Sequence, residues 1–195
     1  STISNNEANL GNGVKLGGGI YLVGSNSIIS SVIKDNKATS GHGHASGGGI
    51  YIASGSVTID STIITGNTIQ HNSQGYQAHG GGIKIRDGTH TITRSVIANN
   101  ISNVQGGGIS LDARDEGNGN ISVKIINSTI IDNSAGDRGD DIYVTSKSGS
   151  SNTLNLINTI YGQKETYSGP LTVNEEFSTN ANISLNNDFT LQSNS

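Results

Sequence analysis

An all-β solenoid, a parallel β-helix of five to six coils with an irregular C-terminal segment, is what three features of this sequence predict. A glycine-rich phrase, Gly47-Gly48-Gly49-Ile50-Tyr51-Ile52, recurs at 17–22, 80–85 and 106–111 and in altered form at 139–144. A second phrase, Ser61-Thr62-Ile63-Ile64-Thr65-Gly66-Asn67, is echoed around Asn6, Asn36, Asn100 and Asn133 and, with glutamine, at Gln163. The segments are short, rich in Ile, Val, Thr and Ser, alternate apolar with polar residues, and are separated by Gly, Asn, Asp and Ser, as strands and turns are. One unit repeated at intervals of 30, 31, 33, 33 and 30 residues favours a stack over a sandwich or barrel.

If each unit is one turn of a coil, equivalent residues lie about 4.8 Å apart. Ile20, Ile50, Ile83, Ile109 and Ile142 then form one aliphatic column, and Leu22, Ile52, Ile85, Leu111 and Val144 a second. Ile28, Ile59, Ile92 and Ile125 form a third, and Ile33, Ile64, Ile97 and Ile130 a fourth. Burying each such side chain is worth roughly 1.5–3 kcal/mol, so the core needs no large aromatics. The position held by Tyr21, Tyr51, Lys84, Ser110 and Tyr143 varies, as an outward face would. Ser31, Thr62, Ser95 and Ser128 suit a corner where a hydroxyl bonds the backbone. Asn6, Asn36, Asn67, Asn100 and Asn133 are expected to form a structural ladder of side-chain amides, placed at a bend whose left-handed backbone Asn tolerates.

The Gly-Gly-[small]-Ile and [apolar]-x-x-Asn phrases resemble the repeats of right-handed parallel β-helix proteins on bacterial surfaces, in particular the polymorphic outer-membrane protein repeats of autotransporter passengers. The resemblance covers about residues 1–165 and implies coils there; beyond Gln163 the rhythm breaks, and 166–195, with the only proline and both phenylalanines, reads as a capping segment or linker. It implies a secreted or cell-surface module, extracellular or on the bacterial surface, that is adhesive or structural. The partners it implies are a cell-surface glycan or protein, or copies of the chain stacked end to end. Pectate lyases and polygalacturonases share the architecture, so a polysaccharide lyase or glycoside hydrolase is the alternative.

Composition narrows the partners. With 11 basic and 15 acidic residues the formal charge is -4, without the basic face that nucleic acid calls for. Cysteine is absent, which removes disulfides and thiolate metal sites. Methionine is also absent, so the chain reads as a processed form or a piece cut from within an array. No apolar run approaches the roughly 18 residues of a membrane helix.

Candidate sites fall in the connections, where solenoids carry function. His42 and His44, with His71 and His79 from the next long loop, could offer nitrogen ligands to a transition metal. Asp112, Asp115 and Glu116 in a loop insertion, and Asp137, Asp140 and Asp141 beside Arg138, could bind Ca²⁺ through hard oxygens. Asp141 stands at the repeat position of Gly19, Gly49, Gly82 and Gly108, which also suggests a turn role. Tyr21 and Tyr51, adjacent in the stack, could hold a sugar ring. No organic cofactor is implied. No concentrated ionisable cluster is evident on any strand face, and no residue is assigned a catalytic role.

Overall fold

The computed structural model describes residues 1–9, 11, 13–71, 78–112, 120–146, 150–167 and 171–180. It is all-β, with parallel sheets stacked as a solenoid of about five turns. Among the described residues every strand pairing is parallel, in ladders of ten, seven, five and three strands. Among the described residues there is no helix long and apolar enough to cross a membrane.

The four aliphatic columns exist as registers. Ile50 pairs with Ile20 and Ile83, Ile109 with Ile83 and Ile142. Ile59 pairs with Ile28 and Ile92, and Ile64 with Ile33 and Ile97. Their side chains converge on one continuous core, where Ile33, Ile50, Ile83, Ile97 and Ile130 are wholly excluded from water. In the early coils a single long strand, Ile20–Ile29 or Ile50–Asp60, spans two columns. Later it divides, as in Ile83–Ile85 with Gly88–Thr93 and Ile109–Asp112 with Ile121–Ile126, where connections of the chain intervene.

Each coil turns at left-handed residues. One set, Asn5, Asp35, Gly66, Asn99 and Asp132, has φ between 55° and 64°. These residues precede the ladder asparagines, so the expectation that the ladder asparagines themselves sit in the left-handed bend is corrected. The ladder residue needs its ordinary conformation to aim its amide along the stack. A second set, Ser30, Ser61, Arg94, Asn127 and Asn158, precedes the hydroxyl column in the same way. That column behaves as expected: the Thr62 hydroxyl donates to Asp60 O at 2.9 Å and accepts from Ser31 N, while Ser95 Oγ donates to Thr93 O at 2.7 Å and accepts from Thr62 N.

The asparagine ladder runs with one polarity. Asn67 donates its backbone N–H and its Nδ2 to Asn100 Oδ1, both at 3.0 Å, and Asn100 does the same to Asn133 at 3.0 and 2.9 Å. The ladder ends at Asp141, whose Oδ1 accepts both Asn133 donors at 3.1 and 2.8 Å while Oδ2 accepts Gln163 N at 2.7 Å. In the coils above, the glycine at this position lies against the next ladder asparagine: a Cβ on Gly49 would stand 3.0 Å from the Asn67 amide. Where the next residue is Gln163 instead of Asn, that place is open to the Asp141 carboxylate. Burial raises the Asp141 carboxyl pKa above the usual range, opposed by the Asn133 and Gln163 hydrogen bonds.

Past this point several inward positions turn polar, while Leu171 and Val173 still pack on the core. Lys164 follows Ile142, Thr166 follows Val144, and Glu175 follows Leu156. Tyr161 continues the column of Ile130 and donates to Glu175 Oε2 at 2.9 Å; burial, then the Glu175 carboxylate, pushes its hydroxyl up to about 12. Lys164 pairs with Glu175 and lies over the Tyr161 ring. Of the expected cap or linker, Leu171–Glu176 and Thr179–Asn180 add strands to existing ladders; residues 181–195 lie outside the described residues.

One core position went unnoticed in the sequence. His90, between Val57 and Val123 in an inward column, is 2% exposed. Its Nδ1 accepts from Val57 N at 3.2 Å, which leaves Nε2–H to donate to Asp87 O at 2.8 Å and makes the ring neutral. Burial holds its pKa below the ordinary 6.5, against the raising effects of Asp87. Because the unfolded chain takes up this proton more readily, the stability contributed by neutral His90 is present above about pH 6.5 and is lost as pH falls below it. The denaturant midpoint of the wild type should therefore drop between pH 7.5 and 5.5 more steeply than that of His90→Gln, which keeps an acceptor and cannot titrate. Equal slopes would contradict this role.

Candidate functional site

The column through Tyr21, Tyr51, Lys84, Ser110 and Tyr143 does not form an outward, solvated face. Tyr21 is 50% exposed, but Tyr51 is 5% and Lys84, Ser110 and Tyr143 are 0% exposed. Alternation does point these side chains away from the aliphatic core. From Tyr51 onward they are nonetheless buried, because strands of the connections form a further ladder, Lys15–Leu16, Ala45–Ser46 and Ala78–His79, that continues by bridges through Gln105 to Arg138. A small second core of Ala45 and Ile69, with Val104 against it, accompanies that ladder.

An ionisable cluster lies on this strand face, contrary to the sequence expectation. Asp112 closes the strand Ile109–Asp112, two residues beyond Ser110, which pairs with Lys84 on the preceding coil. Lys84 Nζ stands 3.3 Å from Asp112 Oδ2, and His79 Nε2 stands 3.4 Å from the same oxygen. The side chains of all three are 0% exposed. The His79 ring lies parallel to Tyr143, 11° between planes and 6.3 Å between centroids. Thr145, opposite Asp112 on the next coil, is buried too, and neither its hydroxyl nor that of Ser110 has a hydrogen-bond partner among the described residues. Lys84 and His79 have no local sequence pattern to link them with Asp112; only the place of Ala78–His79 in the outer ladder does so.

The other proposed sites come apart or take structural roles. His79 faces Asp112, while His71 follows the next ladder, its backbone N–H donating to Asn103 Oδ1 at 3.0 Å. Among the described residues no group of three or more His, Asp or Glu is placed to hold a metal ion, so His42, His44, His71 and His79 are not brought together as one. Asp115 and Glu116 lie outside the described residues. Arg138 is 3.6 Å from Asp137 and 3.9 Å from Glu165; Asp140 accepts from Ala135 N, and Asp141 ends the ladder. Tyr21 and Tyr51 do stack, with centroids 5.3 Å apart and planes 8° apart, and only the Tyr21 ring is open to solvent.

The two ends of the stack differ. At the first coil Ile3, Ile20, Leu22 and Ile28 pack on the core but are only partly buried, and Val14, Tyr21, Val23 and Ile29 are 50–59% exposed. At the last, Lys164, Thr166 and Glu175 take inward positions beside Leu171 and Val173, which also pack on the core partly buried. Searches against protein-family models, curated proteins and solved structures returned no significant match.

Proposed function

We propose that this chain is a non-catalytic β-solenoid module of a cell surface or the extracellular space, structural or adhesive, which makes contact end-on through its first coil. The build of the first coil carries this reading. Its Ile3, Ile20, Leu22 and Ile28 pack on the core but are only partly buried, and its strands stand at the edges of their ladders, so a coil of the same kind fits over it, whether from a copy of the chain or from sequence that precedes it. Such an edge accepts another strand by backbone pairing. Polarity adds to this, since Asn6 donates down the stack and turns its own acceptor outward, as a preceding coil of the same kind would require. The half-exposed Tyr21 ring, stiffened by Tyr51 beneath it, offers a flat surface to a sugar at the same end.

A second reading, an enzyme acting on acidic polysaccharide, is favoured by one observation, the convergence of Lys84, His79 and Asp112 on a strand face. Their complete burial weighs against it, because an extended polymer would have to reach them. Incubation with a panel of uronic-acid polymers should release neither unsaturated nor reducing ends. Sedimentation over a range of concentrations should show association that Val23→Lys with Ile29→Lys abolishes. Turnover of any polymer, or a monomer at all concentrations that also fails to bind a glycan array, would overturn the proposal.

A further inference from the structure

We propose that Lys84 and Asp112 are joined by an intramolecular isopeptide bond, formed autocatalytically with His79 as the proton carrier. The two groups are fixed on adjacent coils by the pairing of Lys84 with Ser110 and lie 3.3 Å apart, nitrogen to carboxylate oxygen, which holds Nζ beside the carboxyl group whose carbon it would attack. Both are fully excluded from water, so hydration does not oppose the loss of a proton from the Lys84 ammonium to a neighbouring base. His79 Nε2 addresses the same oxygen, Asp112 Oδ2, from 3.4 Å, and its ring is oriented by Tyr143. Water that could hydrolyse the product is kept away by the same burial.

The step balances without any co-reactant. One ammonium proton passes from Lys84 to His79, and the freed nitrogen lone pair attacks Asp112 Cγ to form the N–C bond. The Cγ–Oδ2 bond then breaks. Oδ2 leaves as water, carrying one further proton from Nζ and the proton that His79 returns, and the third proton stays on the new amide. The bond would tie the third coil to the fourth covalently across the outer face, and this inference stands whether or not the end-on contact proposed above is correct.

Intact-mass spectrometry of the denatured chain tests it. The wild type should be lighter than its linear sequence by one water, and tandem spectra of a tryptic digest should contain a branched fragment joining Lys84 to Asp112, with no cleavage after Lys84. Lys84→Arg, which keeps the positive charge, should have its full linear mass. Freshly made His79→Ala should retain an unreacted fraction that the wild type lacks; complete reaction in that variant would overturn the role given to His79. A wild-type mass equal to the linear sequence, or a water lost without a branched fragment, would overturn the bond itself, and neither result depends on a variant folding.

Discussion

Replacing Asn100 with alanine is expected to cost about 3–5 kcal/mol, a large part of a stability that for a domain is typically about 5–15 kcal/mol. Its side chain serves two coils at once. Oδ1 accepts from Asn67 N and Nδ2 at 3.0 Å, and Nδ2 donates to Ile64 O, Ala98 O and Asn133 Oδ1 at 2.9, 3.1 and 2.9 Å. All of these groups are buried where water cannot replace the lost partner, so the cost is that of leaving them unsatisfied. Asn6→Ala, at the exposed end where no asparagine donates to it, should cost about 1 kcal/mol or less. Urea unfolding of both variants measures the difference. A similar loss at the two positions would mean that the ladder contributes nothing beyond its backbone bonds.

The second large effect is expected from Gly81→Ala, at about 4 kcal/mol or more, in the range reserved for frank steric or cavity damage. A Cβ there would lie 2.5 Å from both Gly107 O and Ile101 O, backbone atoms of the next coil that cannot move aside separately. Gly24→Ala is the control. Gly24 has φ +81° and nothing within 4 Å of its added Cβ, so only the left-handed conformation is penalised, by roughly 1–2 kcal/mol. Thermal unfolding should rank the variants in that order. The comparison separates two uses of glycine in this fold: the second residue of the Gly80-Gly81-Gly82 phrase permits close approach of coils, while Gly24 only permits a turn.

Spacing alone revealed the columns of isoleucine, the hydroxyl corner and the asparagine ladder, because each is a single residue type repeated once per coil. What spacing could not reveal depends on how the connections fold. The Tyr51, Lys84 and Tyr143 face reads as solvated by alternation and is buried only because His79 and its neighbours return over it. His90 was hidden by its polarity, although it occupies a register position between two valines. Asp141 could have been found: it replaces glycine in the one unit whose following ladder residue is Gln163 instead of Asn, and the two departures compensate each other. The left-handed residue before each ladder asparagine was also visible, as the run Asn5, Asp35, Gly66, Asn99 and Asp132, all residues that tolerate positive φ.

Because the chain has no cysteine, paired cysteines report the stacking directly. Thr58 and Thr91 are register partners on consecutive coils, which puts their Cα atoms about 4.8 Å apart, within the span of a disulfide. Thr58→Cys with Thr91→Cys should oxidise completely under mild conditions. Thr58→Cys with Thr89→Cys, displaced by two residues along the strand, should keep both thiols. If the displaced pair closed and the register pair stayed reduced, the coils would not lie over one another as described.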